Sequence, residues 1–357
     1  MKKWNYQVLG IMSGTSLDGI DVALLDFQKT EKWTADIIVA ETIPYPENWK
    51  KILSEAVFYS DENLDELNRK YTFYLADVIS NFIKKYKLKD LDAVCSHGHT
   101  IKHEPQNNFT LQIGNLPELA KMIDQTVVCD FRVQDVQFGG QGAPLVPVGD
   151  ELLFSEYEAC LNLGGFANIS RNINGKRIAY DICPVNTVLN FLAEKLHFPY
   201  DKDGKIAASG ELDEKLLQNL NELEFYHQPP PKSLGIEWVN QNIFPLLSKN
   251  GNIESFLRTY TIHAATQIAK ELDEKPDSQI LVTGGGAFNR FLISEIQKRT
   301  ENALIIPNAK MVNYKEALIF GFLGVLRLRD EINVLKSVTG ASKDHSSGKI
   351  FIPNSHF

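Results

Sequence analysis

An apolar run, Val8-Leu9-Gly10-Ile11-Met12, breaks into Ser13-Gly14-Thr15-Ser16-Leu17-Asp18-Gly19 and resumes as Ile20-Asp21-Val22-Ala23-Leu24-Leu25. Two strand-like runs around a short glycine-bearing segment commit the chain to a hairpin with a polar tip. Glycine lets backbone N–H groups converge without a Cβ in the way, and neighbouring hydroxyls add donors, so such a tip can hold an anion. Ser13, Gly14, Thr15, Ser16 and Gly19 supply those groups. Asp18 and Asp21 add carboxylates of the kind that hold Mg²⁺ beside a phosphate. Turns of the S-x-x-D-G type also occur as plain polar hairpins, so this one gains meaning only from a counterpart.

The second half of the chain supplies it. Ala159-Cys160-Leu161-Asn162-Leu163 runs into Gly164-Gly165-Phe166-Ala167-Asn168-Ile169, an Asn174-Gly175 turn follows, and a strand ends at Tyr180-Asp181. A third glycine run, Gly284-Gly285-Gly286, stands between the apolar strand 279–283 and a helix opening at Asn289, where backbone can approach a ring or a phosphate. Neither G-x-G-x-x-G nor G-x-x-x-x-G-K-[ST] fits, which disfavours Rossmann dehydrogenases and Walker-type ATPases.

Between these turns, apolar spacing of three and four over 61–85 and 253–272 predicts helices, and a strand at 91–95 is expected to end at Ser96-His97-Gly98-His99. The outline is therefore α/β and duplicated. It predicts two stacked domains about a cleft, 1–135 and 136–357, with the break near Phe138-Gly139-Gly140-Gln141-Gly142-Ala143-Pro144.

Composition limits the ligand. The 37 Lys and Arg against 45 Asp and Glu give a net charge of −8, and the basic residues are interspersed with acids, unlike a nucleic-acid binder. No membrane-length apolar stretch or secretion signal is evident, so a cytoplasmic protein acting on a small molecule is expected. Cys95, Cys129, Cys160 and Cys183 are too far apart for C-x-x-C pairs and read as buried apolar residues. Strand alternation would send His97 and His99 to one face as an H-x-H pair, but a hydrogen-bonding role is preferred to a metal. Asp181 ends a strand and precedes Pro184 and Asn186, where Asn can cap the next helix; its carboxylate would face the cleft.

Taken together, these motifs resemble the anhydro-N-acetylmuramic acid kinase family. The resemblance spans nearly the whole chain and is carried by the first hairpin (Gly10 to Asp21), Ser96-His97-Gly98-His99-Thr100, Thr110 to Gly114, Asp130-Phe131-Arg132, Gly139 to Pro147, Asn162 to Ile169, Pro229-Pro230-Pro231-Lys232-Ser233 and Val338 to Ala341. It implies two ribonuclease H-like domains flanking a nucleotide cleft, as in sugar kinases, chaperones and actin. It implies ATP with Mg²⁺ near Asp18, held by Ser13, Gly14, Thr15, Ser16, Asp18, Gly19, Gly164, Gly165, Asn168, Gly284, Gly285, Gly286 and Asn289. The reaction would cleave the 1,6-anhydro bond of the sugar with water and place the γ-phosphate on O6, in peptidoglycan recycling. Asp181 would be the base, with Glu316 next in line; His97, Arg132 and Asn186 would bind the sugar, Arg132 through its lactyl carboxylate. Two departures stand out. The family's Asp-Thr-Gly-Pro-Gly-Asn is Asp181-Ile182-Cys183-Pro184-Val185-Asn186, and its Ser-His-Gly-Gln-Thr carries His99 for Gln. A kinase for another amino sugar is the nearest alternative, and a homodimer is left open.

Overall fold

The computed structural model describes residues 3–14, 16–247, 251–272 and 275–353. Its strands are β1 Asn5–Ser13, β2 Gly19–Lys29, β3 Trp33–Pro44, β4 Ala93–Glu104, β5 Phe109–Ile113, β6 Val127–Cys129, β7 Ala159–Leu163, β8 Phe166–Ile173, β9 Lys176–Pro184, β10 Gln279–Thr283, β11 Ala303–Ile305 and β12 Lys349–Phe351. They make two sheets. One runs β3-β2-β1-β4-β6-β12 with β5 on β4, the other β9-β8-β7-β10-β11. In each, the first three strands form an antiparallel meander and the next two lie parallel on the far side of the first strand. This repeated order is the ribonuclease H-like arrangement that the family resemblance implies.

The chain divides into two compact units, 1–153 with 314–357, and 154–313. The expected break at 135/136 falls inside the first. Asp135 is why: it is fully buried, its carboxylate accepts from Gly142 N–H (2.7 Å) and Thr339 Oγ1 (2.8 Å), and its carbonyl accepts from Gly140 N–H (2.9 Å). The glycine-rich break in periodicity is thus a loop wrapped on a buried carboxylate, and the C-terminal segment returns to hold it.

Alternation places Leu9, Ile11, Ile20, Val22 and Leu24 on one face of the first sheet, against Leu64, Leu67, Tyr71, Leu75, Ile79 and Phe82 of the helix Asp61–Tyr86. Ser60 caps that helix by accepting from Asn63 N–H, and Lys87 in the left-handed region ends it. Residues 314–328 of the helix Ala309–Leu328 cover the other face, with Phe322 on Phe27 (5.4 Å) and Trp33 (5.1 Å). Each such apolar side chain contributes roughly 1.5–3 kcal/mol on burial. In the second unit Leu161, Leu163, Ile169, Tyr180, Ile182 and Val282 pack on Leu257, Tyr260, Ala264 and Ile268 of the helix Ile253–Leu272. All four cysteines are buried, and none forms a disulfide among the described residues. Among the described residues no helix is long and apolar enough to cross a membrane.

Candidate active site

In the first unit, the tip between β1 and β2 is closed by Leu17 N–H donating to the Gly14 carbonyl (3.4 Å), with Leu17 left-handed at φ 61°. Ser16 and Asp18 are exposed there, and Thr15 lies outside the described residues. Ser13 behaves differently. Its hydroxyl is buried and bonds Tyr45 OH (2.7 Å) and His99 Nδ1 (2.8 Å), while Tyr45 OH bonds Tyr71 OH. It is committed inward, so at the tip Ser13 offers backbone alone.

β4 does not end at Cys95 but continues to Glu104 through an irregularity. Gly98 sits at φ +75°, and a Cβ there would come within 2.5 Å of the Ile113 carbonyl oxygen, so only glycine fits. The kink cancels strict alternation. His97 therefore packs on Phe320 (4.6 Å), whereas His99 turns to Tyr45 (6.3 Å) and Tyr71 (5.9 Å). The two rings do not share a face, contrary to the H-x-H expectation. Burial pulls His99 down to about 4, and pushes His97 well below its usual value with help from Arg132. A neutral His97 whose Nδ1–H donates to the Gly98 carbonyl (2.9 Å) leaves Nε2 to accept from Arg132 Nε (2.8 Å).

Arg132 also donates through Nη1 to the Gly142 carbonyl (2.6 Å). Its Nη2 and one Nη1 hydrogen remain, the end-on edge of the guanidinium fork. Burial lowers it to about 10, against the pull of Glu316 and Asp135. The Glu316 carboxyl is raised, first by the protein packed around it, with Arg132 opposing, Asp21 adding and Lys315 opposing. Its side chain still reaches solvent, so it is a recessed but open carboxylate. Asp21 is raised as well, by burial, against a hydrogen bond from Thr42 Oγ1 (2.6 Å) and with Asp18 adding. Asp18, Asp21, Glu316, Arg132 and His97 are thus electrostatic neighbours on one unit.

In the second unit, register puts Thr283, Asn162, Asn168 and Asp181 in one row across β10, β7, β8 and β9, on the face opposite the core. A polar row across four strands has no packing purpose of its own. Asp181 stands over a strap: its N–H donates to the Lys232 carbonyl (2.9 Å), while its Oδ2 accepts from Leu234 N–H (2.8 Å) and Ser233 Oγ (3.2 Å). Oδ1 has no hydrogen-bond partner among the described residues. Burial raises its pKa, and the two donors only partly offset this. The departures Ile182, Cys183 and Val185 are all buried in the core, so their bulk is taken up there and not beside the carboxylate.

The Gly164-Gly165 turn hands its carbonyls to the next helix: Gly165 O accepts from Val185 (2.8 Å) and Thr187 (3.2 Å), and Gly164 O from Asn186 (3.3 Å). Asn186 is not the cap expected of it. Val185 occupies that position, Asn186 is the first helical residue, and its Nδ2 donates to the Leu163 carbonyl (3.2 Å). Gly284, at φ +81°, lies where a Cβ would come 2.6 Å from Asn162 Oδ1, so the Gly284-Gly285-Gly286 turn presses on the β7 end. Asn289 caps the helix Arg290–Gln297 by accepting from Leu292 N–H (3.0 Å). A cavity of about 430 Å³ lies alongside, lined by Ala287, Arg290, Ile293, Ser294, Leu304 and Ile306 among others. The sequence reading gave no site role to Asn162 or Thr283; the signal was a polar residue at an alternate position in an otherwise apolar strand. Thr283 Oγ1 is buried without a hydrogen-bond partner among the described residues.

A model of the anhydro-N-acetylmuramic acid kinase family matches residues 6–353. The anhydro-N-acetylmuramic acid kinase of Pasteurella multocida is 34% identical over 378 residues, covering 98% of this chain and 98% of that one. That of Mannheimia succiniciproducens is 35% identical over 372 residues, covering 96% and 98%. A solved structure, (R)-2-hydroxyglutaryl-CoA dehydratase component A of Acidaminococcus fermentans, aligns at TM-score 0.49 and 12% identity over 91% of this chain and 99% of that one. The chain belongs to the anhydro-N-acetylmuramic acid kinase family.

Proposed function

We propose that this protein is an ATP-dependent kinase that opens the 1,6-anhydro bond of 1,6-anhydro-N-acetylmuramic acid with water and phosphorylates O6, giving N-acetylmuramic acid 6-phosphate and ADP in cytoplasmic peptidoglycan recycling. The observation that carries the reading is Asp181, a carboxylate with one oxygen anchored by two donors and the other free. Ordinary glycoside hydrolysis needs two carboxyl groups, one of them an acid for the leaving oxygen. When the leaving O6 is captured by a phosphoryl group no such acid is needed, and one base that takes a proton from water at C1 suffices. Asp181 Oδ1 is that base. Its raised pKa brings its basicity closer to what proton abstraction near neutrality asks for.

On the first unit, the tip 14–19 receives the phosphates, and the end-on edge of Arg132 meets the lactyl carboxylate. Asp18 and Asp21 are hard oxygen donors that would hold Mg²⁺ beside a phosphate. Such an ion would supply positive charge against that developing on the phosphates. On the second unit, Gly284-Gly285-Gly286 and the cavity beside Arg290 suit the nucleoside portion of ATP. The test is incubation with ATP and the anhydro sugar in ¹⁸O water, with N-acetylglucosamine and intact N-acetylmuramic acid as comparators. The expected product carries one phosphate and one ¹⁸O at C1. Label in the phosphate, or ADP release that ignores the sugar, would refute the reading.

A further inference from the structure

We propose that Lys232 and Glu271 are positioning residues whose ion pair fixes the strap 229–234, so that Ser233 and Leu234 hold Asp181 by Oδ2 and leave Oδ1 free. This rests on Asp181 being the base. The strap pairs with β9 through the Lys232 carbonyl, while the Lys232 side chain is itself buried. Its Nζ lies 3.6 Å from Glu271 Oε1 and 3.4 Å from the Phe225 carbonyl, and over the Phe225 ring at 5.0 Å. Glu271 Oε2 accepts from Tyr180 OH (2.7 Å), which in turn accepts from Arg171 Nη2 (2.6 Å). Arg171 Nη1 donates to the Glu271 carbonyl (2.7 Å).

One glutamate therefore grips the residue before Asp181 and the residue before Ser233. Both sides of the Asp181 hydrogen bonds are referred to a single point on the helix Ile253–Leu272, which sets the distance between them. An apolar anchor of the same volume would serve stability at least as well, because burying an ion pair often brings no net gain. What the pair adds is direction.

Lys232→Met is the decisive variant, since Glu271 keeps Tyr180 and Arg171 as partners and the fold should survive. The strap should slacken, with kcat falling about 10- to 100-fold while KM for both substrates stays within about threefold. The groups facing Asp181 are Ser233, Leu234 and Asn168, and only the first two hold its pKa down. Losing them moves the acid limb of kcat to higher pH. A second readout needs no turnover. In ¹⁵N-leucine-labelled protein the Leu234 amide resonance should shift as Asp181 titrates, and in Lys232→Met that coupling should be lost, with Glu271→Gln intermediate. A folded Lys232→Met whose Leu234 amide titrates as in the parent overturns the proposal. If Asp181→Asn keeps parental turnover, the base assignment fails instead, and the amide experiment still judges the strap.

Discussion

Replacing Asp181 by Asn separates a base from a structural turn residue, because the structure predicts opposite signs for activity and stability. The amide oxygen of Asn can accept from Ser233 Oγ and Leu234 N–H where Oδ2 does now, so the strap keeps its anchor. The group lost is the free basic oxygen. A missing general base costs ~10² to 10⁴ in rate, equivalent to about 3–5 kcal/mol of barrier. Stability should move the other way. The folded-state pKa of Asp181 is raised, so the folded protein binds this proton more tightly than the unfolded chain. The favourable contribution is complete below the unfolded pKa and is lost as pH rises through the folded one. At neutral pH the ionised carboxylate is therefore a net burden, and Asn should leave Tm unchanged or higher. Asp181→Leu is the contrast, since it strands the Leu234 N–H at about 1–3 kcal/mol and should lower Tm by several degrees. Steady-state ADP release, calorimetric binding of ATP and anhydro sugar, and thermal melts measure all three quantities. In the parent, kcat should fall on the acid side at a pH above the usual carboxylate range, and that limb should be absent from the residual rate of the Asn variant. Turnover within a few-fold of the parent, or a Tm that collapses with activity, would refute the reasoning.

Gly98→Ala should destabilise by roughly 2 kcal/mol or more, because it adds a Cβ at positive φ against the Ile113 carbonyl, and thermal melts read this directly. Lys315→Met removes the ion pair between Lys315 Nζ and the buried Asp150 Oδ1 (2.7 Å) and should lower Tm by several degrees in thermal melts. His99→Leu removes the acceptor or donor for Ser13 and should cost about 1–3 kcal/mol, whereas His99→Gln, the family's residue, should restore most of it in denaturant melts. Equal Tm for the Leu and Gln variants would mean that the Ser13 to Tyr71 chain contributes nothing.

Much of the architecture was legible because it is periodic. The helix faces at 61–86 and 253–272 repeat every three to four residues, and Asn174-Gly175 forms the two-residue turn that the dipeptide signals. Asp181 was expected to end a strand, but β9 runs on to Pro184 and carries Asp181 within it. What escaped were contacts between residues distant in sequence. His97 and His99 look equivalent until Gly98 turns the backbone, and the need for glycine there is set by the Ile113 carbonyl, fifteen positions on. The domain break was misjudged because a glycine-rich loop reads as a linker unless one knows that Asp135 lies buried beneath it, bound by Thr339. Lys232 stood out only as part of a proline-rich motif, since nothing in its neighbours announces Glu271.

The return of residues 314–357 to the first unit has a consequence for synthesis. The second unit is contiguous, 154–313, so it can fold as soon as it leaves the ribosome. The first unit has by then been waiting with one face of its sheet uncovered, because Phe320 and Phe322 follow the whole of the second unit in the chain. Glu316 and the Thr339 latch on Asp135 arrive with them. A nascent chain or a late truncation therefore exposes an apolar sheet face and lacks the Glu316 carboxylate at the same time. Quality control by chaperones and proteases would meet a first unit whose sheet is still open on one face.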